Sequence, residues 1–495
     1  MAHRIPLIDL TFFLLETKDN PTHVAALMVF DLPEGAGKRY VADLACAYRE
    51  VPPVTPFSWV PEFPALSMPR WVNADALDMK YHVRHTALPA GATWSDLHEL
   101  VGELHSQVLD RSRPCFRAYF IEGLPDRQFA LFVMVHHAMV DGASAIARIT
   151  ASLDESPDAR TVRPIHSIDL ESATPSTDKA SDRASAGLKS LAAKQVAAVA
   201  GLSRSLLQKG MSRGASGAGS APFTAPRTPM NAPMRAQRSI ATLSLPLAEM
   251  KAVGKAYGGT LNDVAVTIID AALHRYLDDL GAEPVDRLVA ICPVSLREAG
   301  DQEATTKAST MYVPLGQRGA TIQKRMDEVM HAVASAKAEL LAMNKDAAML
   351  YAMGAFGLAD LAVRTGATSV TGPVASLFLS NVPGPRTDRY LNGARMKAIY
   401  PISALGIGVG LNVTLISYAG SMDFGFVGNG VKLPGLERLA DYTQEAFAAL
   451  RRAAARRATA GEEAARSVTK APRRKASAAD DKTKPARSRK ALARA

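Results

Sequence analysis

Residues 129–142 read Phe129-Ala130-Leu131-Phe132-Val133-Met134-Val135-His136-His137-Ala138-Met139-Val140-Asp141-Gly142. The first seven are an unbroken apolar run of strand length, which reads as a strand buried in a core. The small residues Gly142-Ala143-Ser144-Ala145 follow directly and can open a helix. Two imidazoles and a carboxylate therefore stand where a core strand ends, and such an end holds functional groups rigidly. A histidine buried there, with a pKa near neutrality, can take a proton from a hydroxyl or thiol and give it back. The plain alternative is a histidine pair that only packs beside the strand, and spacing alone does not choose between them. Metal binding is disfavoured: adjacent side chains on an extended backbone point apart, zinc needs three or four convergent ligands, and no CxxC or HExxH accompanies the pair. A Ser-His-Asp hydrolase is equally weak, because the chain has no GxSxG elbow.

Outward from this block, residues 1–168 read as mixed α/β. Val24–Phe30 is strand-like, Tyr40–Glu50 is helix-like, and Trp94–Val108 is an amphipathic helix with apolar positions at Leu97, Leu100, Val101, Leu104 and Val108. The segment Cys115–Ile121 pairs with Phe129–Val135 through the turn Gly123-Leu124-Pro125-Asp126. From 169 to 234 the composition shifts to Ala, Ser, Gly and Pro, which marks a crossover linker. Within it, Leu188, Leu191, Val199, Leu202 and Leu206 form a helical stripe whose charges are all basic. Such a helix lies either in a membrane interface or on the protein's own surface. Residues 235–450 repeat the α/β character. Ser239–Leu245, Leu288–Pro293, Ser376–Val382, Gly406–Tyr418 and Asp423–Val427 are strand-like. Leu247–Tyr257, Leu261–Leu280 and Ile322–Met343 are helical, with Thr260 or Asn262 as a cap for the second.

Several further blocks stand in order with His136-His137-Ala138-Met139-Val140-Asp141-Gly142. They are Pro6-Leu7-Ile8-Asp9 with Phe12-Phe13, Pro21-Thr22-His23-Val24, Tyr81-His82-Val83-Arg84-His85 with Leu88-Pro89, and Leu109-Asp110-Arg111-Ser112-Arg113-Pro114 with Glu122-Gly123. Later come Leu261-Asn262-Asp263, Pro293-Val294-Ser295-Leu296-Arg297, Ser380-Asn381-Val382-Pro383-Gly384-Pro385 and Ser417-Tyr418-Ala419-Gly420. Together they span about residues 4 to 450, and the set resembles the bacterial wax ester synthase/diacylglycerol acyltransferase family of the CoA-dependent acyltransferase superfamily. The chain departs from that family at Pro114-Cys115-Phe116, where Pro-Leu-Trp is usual. Phe116 keeps the apolar bulk but has no indole N–H to donate.

The resemblance implies two chloramphenicol-acetyltransferase-like domains, each an α/β (α+β) unit with a mixed sheet and flanking helices, and an active site at their interface. It implies His137 as the general base, acyl-CoA as the acyl donor without a further cofactor, and diacylglycerol or a long-chain alcohol as acceptor. Another lipid or glycolipid alcohol is the nearest alternative. A catalytically silent lipid-inclusion surface protein is the alternative of a different class. His136 either shapes the wall or hydrogen-bonds near the base. Asp141 supports the loop through an arginine, for which Arg297 is the candidate; a mere surface pair is the other reading of Arg297. Asn262 either donates its amide to the reacting oxygen or holds the histidine loop, or else joins Asp263 in a plain helix start. Gly142 is expected to allow a turn or close packing that a Cβ would obstruct. Ser380 and Asn381 are placed along the channel, and Pro114 and Phe116 at its wall.

Composition sets the remaining bounds. A chain of 495 residues with 47% apolar content supports two cores. Cys46, Cys115 and Cys292 follow no framework spacing, as expected in a reducing cytosol. No secretory signal and no apolar run of 18 residues are present, so membrane contact is expected to be peripheral, at a membrane or lipid-inclusion surface. The net charge of +10 is a property of one end: residues 451–495 carry 15 Lys/Arg against 4 Asp/Glu, a net of +11, leaving −1 for the rest. This segment lacks the apolar residues to build a core and is expected to be a disordered basic tail. Its readings are anionic lipid binding, nonspecific rather than specific nucleic-acid contact, or plain solvation. Oligomeric state is not legible.

Overall fold

The strand Gln128–His136, β7 in chain order, is buried at all nine positions, as its uninterrupted apolar run requires. The computed structural model describes residues 3–65, 67–170, 221–295, 308–343 and 345–470. The N-terminal half runs β1 (His3–Arg4), α1 (Leu7–Leu15), β2 (His23–Asp31), α2 (Tyr40–Glu50), β3 (Trp59–Glu62), β4 (Arg70–Asn73), α3 (Met79–His82), β5 (Val83–Ala87), α4 (Trp94–His105), β6 (Phe116–Leu124), β7 and α5 (Gly142–Ser152). The C-terminal half supplies β8 (Arg238–Pro246), β9 (Val289–Ser295), β10 (Ala308–Pro314), β11 (Leu377–Pro383), β12 (Tyr390–Leu391), β13 (Ala394–Ile402), β14 (Leu411–Tyr418) and β15 (Ser421–Asn429).

These strands form two six-stranded mixed sheets, β12-β13-β2-β7-β6-β5 and β10-β9-β11-β14-β15-β8, plus a small sheet β1-β4-β3. The lobes are not contiguous in sequence. β13 leaves the C-terminal half and pairs antiparallel with β2, placing Ile399 opposite Met28. One core packs the N-terminal sheet on α2 and α5, with Phe30, Phe116 and Phe129 at its centre. Another packs the C-terminal sheet on the helix Leu261–Asp279. A third, containing Leu97, Phe132, Ile240 and Val427, joins the lobes.

Two stretches read as loose in the sequence are built into the fold. Residues 221–234 belong to the C-terminal core: Met230 is buried, and the Asn231 side-chain amide donates to the carbonyls of Ala375 and Gly408 at 2.7 and 3.1 Å. The basic helical stripe from Leu188 to Leu206 lies outside the described residues. Order also extends past 450, because the helix Glu437–Lys470 continues through it. Ala453 and Ala454 are buried, Arg451 pairs with Glu249, and the Arg457 guanidinium stands 4.8 Å from the Tyr257 ring centre. Small residues on one face and long cations on the other let this segment dock, where composition alone predicted disorder. Truncation after residue 450 is therefore expected to lower the melting midpoint relative to truncation after residue 470, as differential scanning fluorimetry would show. Equal midpoints for the two would refute this docking. Among the described residues, no helix is long and apolar enough to cross a membrane.

Candidate active site

β7 ends at His136 with two backbone ties. The His136 N–H donates to the Cys115 carbonyl at 2.9 Å, and the His137 N–H to the Thr22 carbonyl at 3.2 Å. The chain then turns and Asp141 caps α5, its Oδ1 accepting from the Ser144 N–H at 2.7 Å. The two imidazoles go to different environments.

His136 is fully buried. Its Nδ1 accepts from the Ala138 N–H at 3.2 Å, so in the neutral ring the proton sits on Nε2. That Nε2 lies 3.1 Å from Thr22 Oγ1 and 3.6 Å from Glu16 Oε1. Glu16 Oε2 in turn accepts from Arg111 Nε and Nη2 at 3.1 and 2.8 Å. The imidazole is also stacked on Phe13, with ring centroids 4.1 Å apart. Burial first, then the Arg111 charge, pushes its pKa down to about 3. His136 is thus a neutral, immobilised ring that fixes the end of β7.

His137 stacks on Phe12, with centroids 4.0 Å apart and planes 10° from parallel. Its Nδ1 is buried on the side of its own backbone, which leaves Nε2 as the accessible nitrogen. The ring lines a cavity of about 500 Å³ between the lobes. The N-terminal lobe contributes Phe57, Val133, Asp141, Ile146 and Arg148, and the C-terminal lobe contributes Ser380, Asn381, Thr414 and Ile416. Burial lowers the His137 pKa, opposed by its own carbonyl and by Asp141. A lowered pKa keeps the imidazole neutral at pH 7, the state in which Nε2 can accept a proton.

The other residues singled out by sequence divide by position. Asp141, Ser380 and Asn381 line the cavity. Gly142 lines it too, but the expected steric role is wrong: a Cβ there meets nothing within 4 Å, and its φ is not positive. Its missing side chain leaves cavity space instead. Phe116 stands behind the wall, against Phe57, and Pro114 is not among the residues that line the cavity. Phe116 stacks on His82 at 4.4 Å and meets Phe57 edge-on at 5.2 Å. Asn262 sits half-buried in the first turn of its helix and is not among the residues that line this cavity. The cap is Thr260, whose N–H donates to Asp263 Oδ2 at 2.7 Å while its Oγ1 accepts from the Asp263 N–H at 3.3 Å. Arg297 lies outside the described residues.

Sequence reasoning did not single out Glu16, Thr22, Arg111 or the Phe12–Phe13 pair as site residues, although all but Glu16 fall within the motif blocks. Asp9 on α1 was also missed; burial, then the nearby Asp141 carboxylate, pushes its pKa up to about 6. Among the described residues, no three His, Cys, Asp or Glu side chains converge as metal ligands.

Residues 6–265 match the family model for the wax ester synthase/diacylglycerol acyltransferase catalytic domain, and residues 306–451 match that for the C-terminal domain of the same enzymes. A putative diacylglycerol O-acyltransferase of Mycobacterium tuberculosis is 33% identical over 90% of this chain and 96% of its own length. A Mycobacterium bovis protein of the same description is 38% identical over 90% and 98%. The solved wax ester synthase/diacylglycerol acyltransferase of Marinobacter aquaeolei VT8 superposes with a TM-score of 0.75 at 30% identity, covering 92% of this chain and all of that one. The first condensation domain of the calcium-dependent antibiotic synthetase shares the two-lobed fold, with a TM-score of 0.55 at 16% identity over 92% and 97%. The chain therefore belongs to the wax ester synthase/diacylglycerol acyltransferase family.

Proposed function

We propose that this protein moves a long-chain acyl group from acyl-CoA to the hydroxyl of diacylglycerol or of a long-chain alcohol, giving triacylglycerol or wax ester, with His137 as general base. The observation that carries this reading is the His137 imidazole bordering an apolar cavity built by both lobes. An alcohol oxygen is a poor nucleophile until its proton is removed. Nε2 of His137 takes that proton as the oxygen attacks the thioester carbonyl. The tetrahedral oxyanion then collapses, the C–S bond breaks, and the CoA thiolate recovers the proton from the imidazolium. No serine or cysteine nucleophile and no cofactor enter this scheme. Apolar walls exclude water, which would otherwise compete as acceptor, and holding both substrates together supplies a large further share of the rate. The substrates are lipids, and we place the protein at a membrane or lipid-inclusion surface as a peripheral partner.

The test is purified protein with labelled palmitoyl-CoA and a panel of hexadecanol, diacylglycerol and short alcohols. Labelled ester with the long-chain acceptors is expected; hydrolysis alone, or transfer confined to short alcohols, would overturn the reading. The same assay carries a pH prediction. A base must be neutral to act, and burial lowers the His137 pKa. The kcat/KM is therefore expected to fall on acidification with a midpoint below about 6.5 and to stay flat from there toward about pH 8. A midpoint above about 7 would contradict this assignment of the base.

A further inference from the structure

Arg148 is a charged cavity residue that the chemistry above leaves unused. It lies on the cavity side of α5, 5% exposed, two turns beyond Asp141. Its guanidinium carbon stands 5.9 Å from the centre of the Phe57 ring, and Phe57 is held from behind by Phe116. Seven residues of helix separate Asp141 from Arg148 by about 10 Å of rise. Helical side chains lean back toward the N-terminus of their helix, and Arg148 and His137 line the same cavity. Arginine presents five N–H donors in a rigid fork, enough to serve an incoming oxygen in addition to the groups it already meets.

The two acceptor classes differ in what they bring to that fork. A long-chain alcohol has one oxygen, which His137 engages, and hydrocarbon beyond it. A diacylglycerol has the same hydroxyl and two ester groups within a few bonds of it. The pantetheine arm of CoA also carries carbonyls, as amides. However, the cavity that Arg148 lines is also lined by Phe57, Ile146, Ile149 and Ile165, which suit the alkyl chains leaving an ester rather than an amide-rich arm. Resting on the acyl-transfer reading above, we propose that Arg148 is a specificity residue that donates to an ester carbonyl of diacylglycerol and favours triacylglycerol over wax ester as product.

The experiment compares wild type, Arg148→Met and Arg148→Lys, each assayed with palmitoyl-CoA against dioleoylglycerol and against hexadecanol, with melting curves for all three. Methionine keeps a straight chain against Phe57 and removes every donor. It is expected to lower kcat/KM for dioleoylglycerol by about 10–100-fold, the value of a hydrogen bond from a charged donor. Activity with hexadecanol and the KM for palmitoyl-CoA are expected to stay within about twofold. Lysine keeps the charge without the fork and is expected to fall between; it carries the test if the methionine variant does not fold. Equal losses with both acceptors would overturn the inference in favour of a packing role. A raised KM for palmitoyl-CoA with an unchanged acceptor ratio would overturn it in favour of the donor. A wild type that acylates hexadecanol and never dioleoylglycerol defeats this inference alone. A wild type inert with both defeats the function reading, and the inference with it.

Discussion

His137→Ala is expected to lower kcat for acyl transfer by about 10²–10⁴-fold, the share a positioned general base supplies. The melting midpoint is expected to stay close to that of wild type. The ring borders open cavity space, and truncating it gives up one face-to-face stack on Phe12. Residual activity above the solution rate would come from holding thioester and hydroxyl together. His136→Ala should behave differently, although the two residues are adjacent. Its ring is fully buried between Phe13 and the Thr22–Glu16–Arg111 set. Removing it opens a void and strips Thr22 Oγ1 of its donor, so stability falls together with activity. Measuring rate and thermal midpoint for both variants separates the roles. A His137→Ala protein that keeps more than about a tenth of wild-type activity would end the case for a histidine base.

The contrast between these neighbours shows where local sequence stops deciding structure. β7 was legible because a strand buried on both faces has to be apolar through its length, and seven of its nine buried positions, Phe129–Val135, follow that rule. The helix Leu261–Asp279 was legible because its capping box is local. Which histidine faces the cavity was not legible from spacing, because that depends on α1 covering the pair. The sequence of α1, LIDLTFFLL, lacks the polar face that would reveal a helical period, and its conformation makes sense only with Phe12 and Phe13 stacked on the two imidazoles. Glu16 and Arg111 lie 95 residues apart, and nothing near either one announces the other. Nothing in the local sequence marks Arg148 as a cavity residue; its burial depends on packing against Phe57, 91 residues away. The split of the chain at residue 235 followed composition. It missed β13, because sheet membership is decided by long-range pairing with β2 rather than by any property of Ala394–Ile402 itself.

That strand makes Gly425→Ala the second variant with a large expected effect. Gly425 lies in β15, opposite Thr414 of β14 and Thr242 of β8. β13, a strand of the other lobe's sheet, crosses directly over it. A Cβ at Gly425 would overlap the carbonyl oxygen and carbon of Pro401. These are backbone atoms held by pairing with β2, so they cannot swing aside as a side-chain tip could. Relief requires β13 and β15 to separate. The nearby Ile399 N–H donates to Asp423 Oδ2 at 3.0 Å, and Asp423 is fully buried, so separation also threatens a buried carboxylate with the loss of a donor. Overpacking costs about 1–3 kcal/mol, and a buried polar group left unsatisfied costs about as much again. Gly425→Ala is therefore expected to lose at least about 2 kcal/mol in urea unfolding, and to lose transfer activity because the cavity is shaped by the same interlobe contact. Gly428→Ala is the matched control three residues along the strand. Its Cβ would meet side-chain atoms of Leu436 and Leu433 at 3.3 and 3.4 Å, which can shift by a few tenths of an ångström. That variant should fold and react nearly as wild type. If the two variants unfold at the same urea concentration, the crossing of β13 over β15 is not the close backbone contact described, and the cavity wall must be held by something else.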